Sequence, residues 1–570
     1  MAAADTAQMS LLFFGKPDDY KVMSEETLHD LGLDALAKSV TEEPKEQLLI
    51  LRILAQMNPS YEEAVLRQDI FNDLLNLPEK RKELLDLFNR IEYLKDYGSW
   101  RKSAEDKPDL WDLMHRMEEI HSYIMAVEEL RKTLDDPAIK AEGLVSLKKC
   151  IDDIYEEACF AAMKKDIENL RTESSCIQSL TVGINVNSRF EAETLGLISV
   201  NSKQFKKSNI VGNFADAIAS KDRIKDDTEW DGDMRVIPAS ISDKESAINM
   251  LDRQVSAINL MQNPLFMSKS TLSAVPDGDG SISTSLYLAN AASKMTGHIV
   301  KKLRTVLSRY TDVSIVTISK LIPELIYYIR FAEYIEKQTK AGMIFCKPSV
   351  MRSDNGPYMK AEGFYNLKLI DAVRNADEIV ANDLVFDKDH MIYLLTGANR
   401  GGKTTLTQAA GQLYVLAQGG IYVPAVKFEY TPVDMIFTHF PADEDKTTDL
   451  GRLGEECVRF KEIFTEATSE SLILLNETFS TTSFEEGYYI ATDAVRALTS
   501  RNIRVIYNTH MHKLAVDSQD KEKGISSIVM QTDNGRRSFK AVLMPPEGLS
   551  YARDIAEKYG VTYEMLTGGK

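Results

Sequence analysis

The sequence predicts a multidomain protein of mixed α and α/β class, in which a helical body with a small β element precedes a C-terminal α/β domain. Length is the first observation, because 570 residues exceed what one hydrophobic core usually supports. The second is a long series of amphipathic patterns, with apolar residues three and four positions apart. The third is a change after about Val350, where short apolar strands alternate with helical segments.

These patterns divide the chain into five predicted segments. Alternating β-branched residues and turn-formers replace the helical pattern at Ser179, and helical periodicity returns before the α/β pattern begins. The segments are an N-terminal stretch (1–23), a helical region (24–178), a small β element with a polar insertion (179–290), a helical return (291–345) and the α/β domain with its closing helices (346–570).

Composition excludes several classes of protein. No run of about 18 apolar residues is present that could cross a bilayer, and the apolar centre of the N-terminal MSLLFFGKPDDY is too short for a signal peptide. We therefore expect a cytoplasmic protein without a membrane partner. The five cysteines form no CxxC pair, so neither a zinc site nor a disulfide framework is indicated. A net charge of −18 argues against a surface coated by nucleic acid, although local basic patches are compatible with it.

The most specific motif lies in MIYLLTGANRGGKTTLTQAAGQL, where a buried strand precedes a GxxxxGK[ST] loop and a helix. Its glycines let backbone N–H groups point at phosphate oxygens, and the helix start adds its positive end. We expect Lys403 to neutralise the β and γ phosphates of ATP and Thr404 to bind Mg²⁺. A chance Gly-rich turn is the alternative. The predicted phosphate-binding residues are Gly397, Ala398, Asn399, Arg400, Gly401, Gly402, Lys403, Thr404 and Thr405.

A second apolar strand, SLILLNETF, ends in Asn476 and Glu477. In P-loop enzymes an Asp at this strand end helps hold Mg²⁺, and a following acid orients or deprotonates the attacking water. Asn476 carries one negative charge less, so we expect it to contact the metal through a water and to weaken Mg²⁺ binding. Glu477 keeps the candidate general base. Slow hydrolysis and ATP binding without turnover are both compatible with this pair.

These motifs resemble those of the MutS family of DNA mismatch-repair proteins, whose ATPase belongs to the ABC group. The family's loop GPNMGGKST is similar to GANRGGKTT, its DEIGRGTSTxDG to NETFSTTSFEEG, and its strand-ending ATH to YNTH. The resemblance implies an ABC-type P-loop ATPase domain that uses ATP and Mg²⁺, with catalytic roles for Lys403 and Glu477 and a γ-phosphate sensor at His510. GLSYARDIAEKYGVTYEML resembles the family's closing helices, which in relatives help join two subunits, so the resemblance also implies a homodimer.

Departures from the family pattern affect two contacts of the nucleotide, namely the contact with the partner subunit and the contact with the adenine ring. The signature STFMVEM, which in relatives reaches the partner's nucleotide, corresponds to GRLGEEC. Glu456 is kept for this contact in trans, whereas Gly451 replaces the phosphate-contacting Ser and offers a backbone N–H. Ile379 stands where relatives stack an aromatic on adenine, which implies a base held by apolar contact alone. The chain enters the core-like helices almost at once, so we expect no mismatch-recognition or connector domain.

Basic residues flank the polar insertion and are the candidates for contacts with double-stranded nucleic acid. In a homodimer they would line a channel and bind phosphates without reading sequence. Acidic residues between Asp226 and Asp233 lie close by, so a solvated surface of mixed sign is an equally compatible interpretation. The candidates are Lys203, Lys206, Lys207, Lys301, Lys302 and Arg304.

The leading hypothesis is a dimeric DNA-binding clamp ATPase, in which ATP binding and slow hydrolysis move helical levers during DNA repair or a related transaction. The alternative is an ATP-gated scaffold that holds ATP with little or no hydrolysis and acts on a partner protein or ribonucleoprotein. The ATPase subunit of a membrane transporter fits poorly, because no membrane segment accompanies the long helical region.

Overall fold

The computed structural model describes residues 9–15, 19–98, 110–174, 179–186, 188, 192–201, 234–236, 297–310, 321–370, 372–373, 376–397, 401–441, 451–519, 524–533, 536–545 and 559–567. Six of the predicted site residues lie outside these ranges, namely Lys203, Lys206, Lys207, Ala398, Asn399 and Arg400. Within the ranges, no helix combines the length and the apolar character that crossing a membrane requires.

The first part of the chain folds into amphipathic helices, as the periodicity predicts. Hydroxyl side chains begin two of them, since Ser24 accepts a hydrogen bond from the N–H of Thr27 and Ser60 from that of Glu63. Short strands β1 (Lys21–Val22) and β2 (Gln56–Met57) pair antiparallel. The helices are α1 (Glu25–Asp30), α2 (Leu33–Val40), α3 (Pro44–Leu54), α4 (Tyr61–Asn76), α5 (Pro78–Gly98), α6 (Leu110–Leu134), α7 (Glu142–Glu156) and α8 (Ala158–Ser174).

A small antiparallel sheet follows these helices, and two more helices then return to them. β3 (Ser179–Val186) pairs with β4 (Ala192–Asn201), which also pairs with β5 (Met234–Val236). Helix α9 (Gly297–Leu307) packs against α6, and α10 (Ile322–Lys340) packs against α4. Chain segments on both sides of the small sheet therefore share one helical body.

The α/β domain contains a six-stranded sheet with the order β11-β12-β13-β9-β14-β15, in which only β15 is antiparallel to its neighbour among the described strands. Every residue of β9, β12 and β13 is buried, as expected for parallel strands covered on both faces. The strands are β9 (Ile392–Gly397), β11 (Ile436–His439), β12 (Leu472–Asn476), β13 (Arg504–Asn508), β14 (Ile525–Asp533) and β15 (Arg536–Leu543).

A second sheet with the order β6-β10-β7-β8 lies in the same domain. Its strands are β6 (Ser349–Val350), β7 (Met359–Phe364), β8 (Asn382–Phe386) and β10 (Lys427–Tyr430). The helices of the domain are α11 (Lys403–Gln418), α12 (Gly451–Glu466), α13 (Phe484–Ser500), α14 (His512–Gln519) and α15 (Tyr563–Leu566). Short 3-10 turns are formed by Ser308–Tyr310, Ser353–Asn355, Leu367–Leu369 and Ala376–Glu378.

Side chains of the helical body bind the C-terminal end of α11. Arg67 on α4 donates from Nη1 to the carbonyl oxygen of Gln418 at 2.8 Å, and Tyr327 on α10 donates from its hydroxyl to that of Gly419 at 3.0 Å. The Gln412 amide of α11 donates to the carbonyl oxygen of Leu31, the residue after α1, at 2.8 Å. One continuous apolar core also includes residues of both the body and the α/β domain. The helix that follows the phosphate-binding motif is therefore attached directly to the helical body.

Candidate functional site

Three strand ends form the base of the candidate site. β13 pairs in parallel with both β12 and β9, so the carboxyl ends of these strands lie side by side. They bring Gly397, Asn476 and Asn508 to one edge of the sheet, and Asn476 lies opposite Asn508 in register. Lys403 and Thr404 open α11 at the same edge. Ligands of open α/β sheets bind at such an edge.

Two glycines at this edge have positive φ angles, with 130° at Gly397 and 95° at Gly402. A side chain at Gly397 would also collide with the neighbouring strand, because its Cβ would lie 3.1 Å from the backbone nitrogen of Met530. Glycine at 397 thus satisfies both the backbone conformation and the close approach of β9 and β14. Gly397 and Gly402 enclose the loop that the motif assigns to phosphate.

The Lys403 side chain is buried, with 5% of its surface exposed. Its ammonium group donates to the carbonyl oxygen of Gly397 at 3.0 Å, which directs the side chain toward the end of β9. Burial lowers the pKa of this ammonium, while the charge of Glu477 acts in the opposite direction. Burying an ammonium group without an anionic partner costs free energy. A bound triphosphate would supply that partner and reduce the cost.

Three neutral side chains meet beside Lys403. Thr404 Oγ1 donates to Asn476 Oδ1 at 3.2 Å, and the Asn508 amide donates to the same oxygen and, at 3.4 Å, to Thr404 Oγ1. Asn508 has no exposed surface, and its Oδ1 has no hydrogen-bond partner among the described residues. Asn508 is not among the site residues predicted from the motifs. Its position at a strand end, next to the strand that ends in Asn476, is the signal in the sequence that indicates it.

The donor set fits a nucleotide-bound Mg²⁺ ion. Mg²⁺ prefers oxygen ligands and usually combines one or two protein ligands with phosphates and waters. Thr404 Oγ1 and Asn476 Oδ1 supply such oxygens 3.2 Å apart. Within the described ranges, no group of three or more His, Cys, Asp or Glu residues could hold a metal by itself. A cation at this edge would thus depend on phosphate oxygens for most of its ligands.

The predicted general base and the predicted sensor contact each other. Glu477 has a left-handed backbone (φ 55°), and its N–H donates to the carbonyl oxygen of Asn508 at 2.8 Å. The Glu477 carboxylate lies 2.6 Å from His510 Nε2, and this hydrogen bond lowers the pKa of the carboxyl group against the opposing effect of burial. About a third of each side chain stays in contact with solvent, 36% for Glu477 and 40% for His510. The carboxylate is therefore both oriented and accessible.

Buried groups fix the turn that carries Glu477. Phe479 also has a positive φ of 64°, and such non-glycine residues cost on the order of 1–3 kcal/mol each. Between them, Thr478 accepts a hydrogen bond from the Tyr507 hydroxyl at its carbonyl oxygen (2.7 Å), and its own hydroxyl lies 3.1 Å from His439 Nδ1. Burial lowers the pKa of His439 to about 4, so the ring is neutral at pH 7. These contacts hold the strained turn in place.

The signature segment lies at the start of α12. Gly451 is exposed there with a φ of 68°, and it is not among the residues that line the cavity beside the loop. Glu456 is bound within its own chain, since its carboxylate accepts from Thr481 Oγ1 at 3.1 Å and its carbonyl oxygen lies 3.2 Å from His439 Nε2. Burial raises the pKa of the Glu456 carboxyl group. Within one chain, Gly451 thus does not line the cavity beside the predicted phosphate-binding loop.

A cavity of about 380 Å³ opens beside the loop and reaches Glu477. The predicted Ile379 lines it, but so does Phe539 on β15, an aromatic that the sequence analysis missed. Phe539 has a φ of 56° and is 45% exposed, and a Cβ on Gly402 would lie 3.4 Å from its ring. The cavity therefore offers both aliphatic and aromatic apolar walls, and a base held by apolar contact stays a prediction. Its other apolar walls are Phe364, Tyr365, Leu369, Val373, Val380, Leu406 and Ala409.

Known sequences match the two halves of this architecture separately. A family model described as MutS domain V matches residues 393–563, which include the phosphate-binding helix and the sheet edge. A second, described as MutS2 N-terminal domain, matches residues 60–340 of the helical body and the small sheet. The chain belongs to the MutS family.

Named relatives of this MutS-family chain match it over different lengths. The DNA mismatch repair protein MutS of Clostridium novyi is 23% identical over 487 residues, which are 80% of this chain and 50% of that protein. The protein of the same name from Chlorobium phaeobacteroides is 27% identical over 367 residues, 59% of this chain and 41% of its own. Endonuclease MutS2 of Thermus thermophilus is 31% identical over 191 residues, which are 33% of this chain and 25% of that protein. The matches thus span half or less of each relative's length.

Three of the six candidate nucleic-acid residues of this MutS-family chain lie on α9, and the other three lie outside the described residues. Lys301, Lys302 and Arg304 are exposed there. Basic groups of the adjoining helices α6 and α8, and of the 3-10 turn Ser308–Tyr310, form ion pairs with acids, so the described surface carries both signs of charge. These pairs are Arg116 with Glu119, Arg171 with Glu118, Lys164 with Glu128, and Arg309 with Asp166.

Proposed function

We propose that this MutS-family protein binds Mg·ATP at the sheet edge and hydrolyses it slowly. The observation that carries the proposal is the meeting of Lys403, Thr404 and Glu477 at one strand edge, beside a cavity with an aromatic wall. Lys403 and the loop over 397–405 bind the phosphates, and Thr404 serves as a Mg²⁺ ligand, with Asn476 acting through a water. Ile379 and Phe539 contact the base.

Hydrolysis in this proposal depends on Glu477 and its neighbours. Bound Mg²⁺ supplies positive charge to the phosphate oxygens, as in other P-loop enzymes. Glu477 orients the attacking water and accepts its proton, while His510 fixes the carboxylate. In this proposal His510 also senses the terminal phosphate. Because His510 lowers the pKa of Glu477, the carboxylate is a weaker base than an unpaired one. Turnover should therefore be slow.

We extend the proposal to a homodimer that acts as a clamp on duplex nucleic acid. The relatives named as DNA mismatch repair proteins support the action on DNA. In the proposed homodimer, Gly451 and Glu456 of one copy would face the nucleotide of the other. The hydrogen bond from Arg67 to the end of α11 gives nucleotide binding a direct route to the helical body. Lys301, Lys302 and Arg304 would contact phosphates without reading sequence.

An ATP-gated scaffold with little or no hydrolysis is the second candidate. Two observations favour it, namely the neutral Asn476 beside Thr404 and the lowered pKa of Glu477. Both reduce the electrostatic and basic contributions to hydrolysis while leaving Lys403 and the base cavity available for binding. In this form, ATP would control dimerisation or the binding of a partner instead of supplying energy by turnover.

Steady-state Mg·ATP hydrolysis with and without duplex DNA tests the proposal. Lys403→Ala supplies the blank, and Asn476→Asp restores the carboxylate beside Thr404. We expect wild-type turnover above the blank, a further increase with duplex DNA, and faster turnover in Asn476→Asp. Wild-type activity equal to the blank, with ATP binding intact, would overturn the hydrolysis proposal in favour of the scaffold. Absence of ATP binding in equilibrium dialysis would overturn both.

The clamp requires its own measurement. A non-hydrolysable ATP analogue should shift the protein from monomer to dimer, and analytical sedimentation measures that change. Duplex affinity should fall with salt, and replacing Lys301 and Lys302 by Ala should lower the slope of log affinity against log salt by about 0.9 for each phosphate that is no longer neutralised. An unchanged slope would remove α9 from the proposed interface.

A further inference from the structure

We infer that Asn508 is a positioning residue that turns the side-chain oxygen of Asn476 toward Thr404, on the side where the proposed Mg²⁺ ion would bind. This inference rests on the proposed Mg·ATP binding and assigns a role to a residue that the phosphate-binding motifs do not contain. Asn508 contacts three parts of the site at once: its amide reaches Asn476 and Thr404, and its backbone carbonyl oxygen accepts from the N–H of Glu477.

A carboxamide at position 476 has an orientation problem that a carboxylate lacks. Asparagine presents an oxygen acceptor on one side and an NH₂ donor on the other, whereas both oxygens of aspartate accept. If the Asn476 amide were rotated, its N–H groups would face the metal edge, where they repel a cation. Asn476 can therefore serve a Mg²⁺ site only if something fixes which end points at Thr404.

The observed hydrogen bonds make that selection. Thr404 Oγ1 donates to Asn476 Oδ1 at 3.2 Å, and the Asn508 amide donates to the same atom. Two donors facing one atom require an acceptor there, so the oxygen of Asn476 is held on the Thr404 side. Thr404 alone would not suffice, because its hydroxyl can rotate and accept instead. The Asn508 amide can only donate, which makes it the decisive partner.

Burial limits the alternatives open to Asn508. It has no exposed surface, so water offers no competing partner. Rotation of its amide alone would place Oδ1 against Asn476 Oδ1 and would break both donated bonds, whereas the observed orientation forms both and leaves Oδ1 without a partner among the described residues. Both positions also depart from the MutS motifs quoted above, with Asn for Asp at 476 and Asn for Ala at 508. The two departures touch each other in the structure.

A double-mutant cycle tests the inference through metal binding instead of turnover. The four proteins are the wild type, Asn508→Ala, Asn476→Asp and the combined variant, each saturated with a non-hydrolysable ATP analogue. Mn²⁺ replaces Mg²⁺, and free Mn²⁺ is measured by electron paramagnetic resonance. We expect Asn508→Ala to weaken Mn²⁺ binding by about tenfold in the Asn476 background, the scale of one buried hydrogen bond. In the Asn476→Asp background it should cause no loss.

Ser527→Ala is the matched control, because this residue on β14, the strand beyond β9 in the same sheet, is also fully buried and its hydroxyl has no partner among the described residues. It should leave Mn²⁺ affinity unchanged. Asn508→Ser, which keeps a polar group in the buried site, gives the same comparison if Asn508→Ala is unstable. Equal losses from Asn508→Ala in both backgrounds would overturn the inference alone. Failure of the wild type to bind the analogue would instead overturn the proposed function on which it rests.

Discussion

Arg67 of the helical body donates a hydrogen bond from Nη1 to the carbonyl oxygen of Gln418, the last residue of α11, at 2.8 Å. The same guanidinium bonds the carbonyl oxygen of Leu12 at 2.6 Å and forms a buried ion pair with Glu63. A cation at a helix C-terminus interacts favourably with the helix dipole. Since Lys403 begins the same helix, α11 connects the proposed phosphate site directly to the helical body.

Replacing Arg67 by Met should destabilise the fold by about 3–5 kcal/mol, because the Glu63 carboxylate would stay buried without its partner. Urea denaturation measures this loss. Arg90→Met is the matched control, since Arg90 pairs with Glu129 at an exposed position and should cost about 0–1 kcal/mol. Adding Glu63→Gln to Arg67→Met should recover part of the loss. Equal destabilisation by Arg67→Met and Arg90→Met would contradict a structural role for the buried pair.

His510→Ala should move the acid limb of the pH–rate profile to higher pH. The hydrogen bond from His510 is the largest cause that lowers the pKa of Glu477 below its ordinary value of 4.5. The ionised form is thus favoured in the folded protein, and its contribution to stability is lost as pH falls through that lowered pKa. Without His510, protonation of the base should begin at higher pH. Profiles of kcat against pH whose acid limbs coincide would show that His510 does not tune Glu477.

Local motifs explain why part of the site could be predicted. The strand, glycines and helix around Lys403 are contiguous in sequence, so their pattern predicts their geometry. Asn476 and Glu477 were predictable as neighbours of Thr404 because parallel strands end at the same edge. The contact of Glu477 with His510 follows the same logic, since each residue directly follows or nearly follows one of two paired strands.

Other features depend on contacts that no local pattern encodes. Phe539 reaches the cavity because β15 folds back antiparallel on β14, and its left-handed backbone has no signature in the sequence. His439 and Thr478 are 39 residues apart, and neither stands out in its own segment. Asn508 looks like an ordinary strand residue until its neighbour across the sheet is known to be Asn476.

Lys403→Met should remove ATP binding without destabilising the nucleotide-free protein. Burial lowers the pKa of the ammonium, so the protonated side chain opposes folding, and stability should rise as pH increases through the lowered pKa. An apolar side chain of similar length avoids this cost at pH 7. Thermal unfolding with and without Mg·ATP provides the measurement, and the stabilisation by ligand should disappear in the variant. A large fall in the melting temperature without nucleotide would show that Lys403 has a structural role instead.

Thr478→Val should lower kcat without changing ATP affinity. The hydroxyl of Thr478 contacts the buried, neutral His439, and its loss would relax the turn that holds Glu477. Nucleotide contacts at Lys403 and Phe539 would stay in place. Thr478→Ser is the matched control because it keeps the hydroxyl group. Parallel loss of kcat and affinity, or an equal loss in Thr478→Ser, would rule out this positioning role.

Phe539→Ala should weaken ATP binding by about tenfold, the scale of one aromatic stacking contact together with its buried area. The ring lines the same cavity as Ile379, and a Cβ on Gly402 would lie 3.4 Å from it. Alanine retains the left-handed backbone strain of a non-glycine residue, so the difference reports the side chain. Calorimetric titration with ATP and with inorganic tripolyphosphate separates the two ends of the pocket.

The tripolyphosphate affinity should not change in Phe539→Ala, because the phosphate loop is left intact. Leu543→Ala provides the control, since Leu543 lies on the same strand, is 56% exposed and does not line the cavity. If Phe539→Ala weakens tripolyphosphate as much as ATP, the ring supports the loop and not the base. If neither affinity changes, the base binds elsewhere, and the cavity between α11 and β15 is not the nucleoside pocket.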